Sequence, residues 1–163
     1  MSIRDFVIQK LGRVIPDRAW IQIKYRQWFG RFANLSNPQT YNEKLNWLKL
    51  YDRRSEYTTM VDKYEAKKWV SDKIGSEYVI PAVGGPWERF DDINFDELPD
   101  QFVLKCTHDS GSVKIIRNKK TIDVDELRKF YSNRLSVSAF NLGREYPYKD
   151  VPRKIMAEEY IVD

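Results

Sequence analysis

Three short stretches of the sequence carry residue types suited to holding an anion. In Gln101-Phe102-Val103-Leu104-Lys105-Cys106 a lysine follows a continuous apolar run. Thr107-His108-Asp109-Ser110-Gly111-Ser112 is a small polar loop, and Val113-Lys114-Ile115-Ile116 returns as a second run. Backbone N–H groups of such a loop can converge on phosphate oxygens, because Gly and Ser let the chain approach closely. A lysine on the adjoining strand adds a point charge. The Gly-x-x-x-x-Gly-Lys-Ser/Thr spacing of a P-loop is absent, and no helix follows directly. Taken alone, the stretch also fits an ordinary hairpin turn. Asp62-Lys63 opens a helix, whose free N–H groups favour anions; the plain alternative is a solvated lysine on a capped helix. Ala157-Glu158-Glu159-Tyr160-Ile161 sets two acids into an apolar strand end, which also fits an edge strand with solvated carboxylates.

Other chemistries fare worse. His108, Asp109 and Ser110 are the residue types of a nucleophilic triad, but such a triad converges in space and is not a tripeptide. Cys106 sits on an apolar strand, where a free thiol behaves as a small hydrophobe. One Cys and one His exclude a disulfide and a Cys- or His-rich metal centre. Glu158, Glu159 and Asp163 could meet a metal only with further ligands. Asp123-Val124-Asp125 has the spacing of a sugar-nucleotide metal motif, yet Glu126 makes it a helix-opening capping box.

These residues must be positioned by a small α+β scaffold. Helical stripes run over 3–15 (Ile3, Phe6, Val7, Leu11, Val14) and 17–32 (Ile21, Tyr25, Trp28, Phe29, Phe32), separated by Pro16-Asp17. Thr40 and Glu43 form a capping box for a helix with Tyr41, Leu45, Leu48 and Tyr51 as its core stripe. Asp62 and Glu65 cap a helix from Lys63 to about Ile74 that buries Ala66, Trp69, Val70 and Ile74, and Gly75 ends it. Residues 77–83 read as a strand, Gly84-Gly85-Pro86 as a turn, 101–106 and 113–116 as a hairpin, 124–135 as a helix, 141–152 as a loop and 154–162 as a last strand. Helices first, then strand, hairpin, helix and strand, make α+β and not a doubly wound fold. The expected regions are a basic aromatic helical pair over 1–36, a middle region over 37–100, and 101–163, which ends on the last strand.

Charge is uneven. Residues 1–36 hold seven basic and two acidic side chains, and the remaining 127 hold 21 and 22. A near-neutral body argues against a nucleic-acid-binding domain. The basic, aromatic N-terminus packs as a solvated hairpin on the plain reading, and docks on an anionic membrane surface or a membrane-bound partner on the sharper one. No stretch approaches the length of a membrane span and the start has no secretory signal, so the expectation is a cytoplasmic protein, peripheral at the inner face of the membrane if it docks.

Taken together, the order Asp-Lys helix, Phe-Val-Leu-Lys strand, Ser/Gly loop and Glu-Glu-Tyr-Ile strand resembles the N-terminal and lid subdomains of ATP-grasp enzymes. Asn37-Pro38-Gln39-Thr40-Tyr41-Asn42-Glu43-Lys44-Leu45 with Trp47-Leu48-Lys49-Leu50-Tyr51-Asp52-Arg53 is similar to the opening of the TupA-like ATP-grasp family, linked to teichuronopeptide and other surface-polysaccharide biosynthesis. Val61–Glu65, Leu104–Gly111 and Gly143-Arg144-Glu145-Tyr146-Pro147-Tyr148 fit the same pattern, so the resemblance covers about residues 10–163. It implies a partial ATP-grasp fold: small sheet, β-hairpin lid and helix. It implies 37–100 as the ATP-grasp N-terminal region and 101–163 as the lid subdomain ending at the hinge. Lys63 and Lys105 would touch the nucleotide phosphates, and His108, Asp109, Ser110, Gly111 and Ser112 would form a mobile lid. Glu158, Glu159, Tyr160 and Ile161 would be the hinge beside adenine or ribose. The cofactors implied are ATP and Mg2+. The magnesium ligands and the catalytic half are expected beyond Asp163, as in a fragment or a naturally short member, so no catalytic or metal residue is assigned here and enzyme activity stays open. The function implied is the nucleotide-binding part of a ligase-like protein, often labelled a glycosyltransferase, that activates a carboxylate with ATP. The alternative is a non-catalytic scaffold or membrane-docking protein. The Gly143–Tyr148 loop has no role readable from its chemistry.

Overall fold

The computed structural model describes residues 10–162. Residues 3–9 of the first expected helix, and Asp163, lie outside them. In chain order the elements are α1 (Asp17–Phe29), α2 (Tyr41–Tyr51), α3 (Glu56–Val61), α4 (Glu65–Ile74), β1 (Ala82–Trp87), β2 (Phe102–Cys106), β3 (Lys114–Ile116), α5 (Val124–Leu135), α6 (Ala139–Gly143) and β4 (Ile155–Glu159), with short 3-10 turns between them. This is an α+β fold. The chain divides into two compact units, Met1–Thr58 with Ser138–Asp150, and Thr59–Val137 with Val151–Asp163. Among the described residues no helix is long and apolar enough to cross a membrane.

In the first unit residues 10–14 are helical. α1 stops at Phe29, short of the expected residue 32, because Gly30 takes the left-handed conformation (φ 71°) and its N–H closes on the Arg26 carbonyl. Ile21 and Tyr25 pack with Ala33 and Leu35. α2 opens on the expected capping box, with Thr40 accepting from the Glu43 N–H and Glu43 answering to the Thr40 N–H. Its expected core stripe does not form: Tyr41, Leu45, Leu48 and Tyr51 are all exposed, and the buried residue of the helix is Glu43. The helix is held at its N-terminus by a carboxylate network, which leaves its apolar stripe free to face a cavity. Glu43 Oε1 accepts from Arg31 at 2.7 Å and from the Asn34 N–H at 3.0 Å, and Oε2 accepts from the N–H groups of Gln39 and Thr40. The Arg31 guanidinium first, and then these N–H groups, hold the Glu43 carboxyl well below the usual carboxylate range. The expected 141–152 loop contains the end of α6 and a 3-10 turn at Tyr146–Tyr148.

The second unit is built on a four-stranded antiparallel sheet in the order β1-β4-β2-β3. The hairpin and the last strand form as expected. β1 does not: residues 76–78 make a 3-10 turn, and the strand runs through Gly84-Gly85-Pro86. Glycine is needed there because β1 crowds its neighbours. A Cβ on Gly84 would lie 2.6 Å from Trp87, and one on Gly85 (φ +89°) would lie 2.9 Å from the Ile155 carbonyl oxygen. α5, capped by Asp123 through the Glu126 N–H, lays Leu127 and Tyr131 on the apolar face formed by Phe102, Leu104, Cys106, Ile155 and Ala157. α4 starts at Glu65, two residues later than expected, after Asp62 Oδ1 caps the N–H groups of Tyr64 and Glu65. None of its residues is buried, contrary to the expectation for Ala66, Trp69, Val70 and Ile74. α4 reaches the opposite face of the sheet, which mixes Val103 and Met156 with Lys105 and Glu158, through the Lys67–Glu158 ion pair.

Candidate anion-binding site

Strand alternation decides which residues can meet. β2 and β4 pair with Val103 opposite Glu158, Leu104 opposite Ala157 and Lys105 opposite Met156. Side chains two apart share a face. Lys105 and Glu158 therefore stand on one face, with Val103 and Met156. Glu159 falls on the other.

Glu158 is buried, and two lysines close on it. Lys67 Nζ lies 2.7 Å from Oε1, and Lys105 Nζ is paired with Oε2. Lys67 also donates to the Ile80 carbonyl. Lys63 sits one helical turn before Lys67 in sequence. Its backbone N–H is fixed on the Thr107 carbonyl at 3.0 Å, and its ammonium donates to the Asp109 carbonyl. Burial pushes the Lys63 ammonium below its ordinary value; Asp109 opposes the shift and the charge of Lys105 adds to it. The Asp109 carboxylate balances these charges only in part, because it is already paired with Arg134. Asp109 accepts from Arg134 at 2.9 Å and from Ser112 Oγ. Two ammonium groups thus share the Glu158 carboxylate, and a third, that of Lys63, lies near enough to Lys105 to feel its charge, in a partly desolvated place. Such a surplus has room for a polyanion, which would restore neutrality where water is scarce.

The 107–112 loop is braced. Ser112 Oγ accepts from the Cys106 N–H at 2.7 Å, and Tyr131 donates to the Ser112 carbonyl at 3.0 Å. Thr107 Oγ1 donates to the Pro152 carbonyl at 2.8 Å. Thr107, His108 and Ser112 are buried, Asp109 is half-buried, and only Ser110 and Gly111 are exposed. Both ring nitrogens of His108 lack a hydrogen bond. Burial pushes its value down, although the carbonyls of Arg134 and Val137 lie near enough to favour the charged form. Cys106 is fully buried and its thiol is pushed up to about 11, chiefly by that burial, which suits packing and not nucleophilic attack.

The structure therefore brings together Lys63, Lys105, Glu158 and the Asp109 carbonyl. It separates Glu159 and Tyr160, which line a different cleft of about 860 Å3 with Val83, Gln101, Arg117 and Lys120, all within the same unit. Ile161 is exposed beyond the strand end. Lys67 and Arg134 are site residues the sequence reading missed. The i, i+4 spacing of Lys63 and Lys67 was the available signal for the first; nothing local marks the second, 25 residues from Asp109.

A family model, TupA-like ATPgrasp, matches residues 43–163. Comparison with curated proteins and with solved structures gives no match. The matched stretch takes in the three lysines, the braced loop and β4; the resemblant residues 37–42 precede it. The observed helices and four-stranded antiparallel sheet are compatible with part of an ATP-grasp fold. ATP-grasp proteins in general bind ATP and Mg2+. The lysine surplus fits the phosphate side of that ligand. Among the described residues no three His, Cys, Asp or Glu side chains gather as a metal site, so none is assigned to magnesium. With the larger part of its length inside the match, the chain belongs to the TupA-like ATPgrasp family.

Proposed function

We propose that the face formed by Lys63, Lys67, Lys105 and Glu158 binds the triphosphate of ATP. The chain is then the nucleotide-binding part of an ATP-grasp ligase-like protein of surface-polysaccharide or teichuronopeptide biosynthesis, which activates a carboxylate with ATP. The observation that carries this reading is the pairing of two ammonium groups, Lys67 and Lys105, with the single buried carboxylate of Glu158, the Lys63 ammonium being held near Lys105 on the Asp109 carbonyl. Lys105 and Lys63 take the phosphate oxygens, and Glu158 holds Lys67 and Lys105 in place until the anion arrives. Ser110 and Gly111, the exposed residues of the braced loop, offer backbone N–H groups to the phosphates. Phosphoryl transfer needs chiefly positioning and charge neutralisation, which lysines and backbone dipoles supply.

Calorimetry with a non-hydrolysable ATP analogue and Mg2+ tests it. The chain should bind, and Lys105→Ala should weaken binding about 10- to 100-fold, as expected for losing a charge-assisted contact. A scaffold that kept only the fold would show no affinity to lose, and that result overturns the reading.

A further inference from the structure

α1, α2 and the Gly143–Tyr148 segment enclose a half-open cavity of about 540 Å3, wholly within the first unit. That volume lies in the range of small-molecule sites, roughly 300–1,000 Å3. Its third wall is the motif to which the sequence assigns no role. The wall is held by a buried guanidinium. Arg144, left-handed at φ 54° and 1% exposed, donates to the carbonyls of Gly12 and Ile15, lies 2.9 Å from Asp17, and sits between the rings of Trp20 and Phe140. Lys49 adds a hydrogen bond to the Gly143 carbonyl at 2.9 Å. The segment is therefore fixed with Tyr146, Pro147 and Tyr148 turned toward the cavity.

The lining has two characters. Trp28, Phe29, Tyr146 and Tyr148 supply aromatic surface. Between them stand Lys24, Asn42, Asn46 and Glu145. Much of this polar set is uncommitted. Asn46 Nδ2 donates to the Asn42 carbonyl at 2.8 Å, but its Oδ1 and the Asn42 amide have no partner among the described residues. Lys24 lies 5.2 Å from the centre of the Trp20 ring and has no carboxylate partner among the described residues. Glu145 meets Lys49 only at 3.8 Å.

We propose that this cavity binds a saccharide, with one pyranose face stacked on the aromatic wall and its hydroxyls on Asn42, Asn46 and Glu145. An acyl chain would strip water from those polar groups and return nothing. A nucleobase concentrates its polar atoms in one plane at a few edges, whereas the polar groups here stand on three different walls. A sugar ring presents C–H bonds to the negative face of an aromatic ring and donor-acceptor hydroxyls all round its edge. Amides that both donate and accept match those hydroxyls. The proposal does not rest on the nucleotide reading: the two sites lie in different units.

Saturation-transfer NMR on the full chain with cellobiose, N,N′-diacetylchitobiose and digalacturonate tests it. Adenosine and phosphatidylglycerol vesicles are run beside them. At least one saccharide should show transfer to its ring C–H protons. Trp28→Ala, at a site 78% exposed, and Asn46→Ala should each weaken that binding about fivefold, as for removing one contact from a small ligand. Absence of signal from all three saccharides overturns the proposal, as does binding that neither variant changes. Transfer to adenosine or the vesicles alone also overturns it, in favour of a base site or a membrane surface. Loss of ATP-analogue binding with saccharide binding intact would remove only the nucleotide reading.

Discussion

Each unit buries one glutamate, and the two are satisfied in opposite ways. Glu43 is surrounded by one arginine and three backbone N–H groups, donors fixed by the chain itself. Its charge is balanced by a single arginine, which also reaches Tyr25 and the Phe32 carbonyl within the same unit. Glu158 is paired with two side-chain ammonium groups, whose total exceeds its own charge, and one of them, Lys105, lies near a third, Lys63. A carboxylate fed by backbone donors fastens the chain. A carboxylate outnumbered by lysines keeps cations assembled for another anion. The residue type is the same, and the partners decide the role.

The comparison is broken most directly at Glu43. Glu43→Gln removes the charge that Arg31 and three N–H groups share, so the melting midpoint should fall by several degrees in a thermal scan, while tripolyphosphate binding measured on the folded fraction stays unchanged. The matching change, Glu158→Gln, should do the reverse. It frees Lys67 and Lys105, so tripolyphosphate should bind about fivefold tighter, the share of charge-assisted bonding the lysines no longer divide. Weaker binding there would make Glu158 another fastening and erase the contrast.

Acid titration sharpens it further. His108 is buried with its value lowered, so the unfolded chain takes up a proton that the folded one resists. The stability of its unit should decline as pH falls below the ordinary 6.5. Glu43 is held low, so its contribution is present above its ordinary 4.5 and is lost only as pH falls further. Hydrogen exchange read unit by unit should show the second unit loosening first, and His108→Leu should abolish that early step. The smallest effect concerns Lys63. A bound anion favours the charged ammonium, so tripolyphosphate binding should take up protons, and affinity should decline as pH rises through the lowered Lys63 value. Calorimetry in buffers of different ionisation enthalpy reads this, and Lys63→Arg should flatten the decline.

What was legible in the sequence follows from the distance over which each signal acts. The Thr40–Glu43 capping box is local and visible, but the Arg31 and Asn34 contacts of Glu43 depend on a turn no pattern encodes. Lys105 could be singled out at the end of an apolar strand. Lys67 was marked only by its i, i+4 spacing from Lys63, a faint signal because a lysine on a helix normally reads as solvated. Glu158 and Glu159 could have been told apart by alternation alone, since adjacent strand residues point to opposite faces. The Gly84-Gly85-Pro86 run reads as a turn because Gly85 responds to the crowding of β4, which lies more than sixty residues away, and Gly84 to the packing of Trp87 and Leu98.

The sheet order carries a consequence for biosynthesis. β4 lies between β1 and β2, so those earlier strands do not pair with each other and both wait for a strand translated well after them. Until Ile155–Glu159 leaves the ribosome, the nascent second unit presents two open edges. Chains stalled or released before that point expose unpaired strand edges to one another, which is where aggregation of an incomplete product would start.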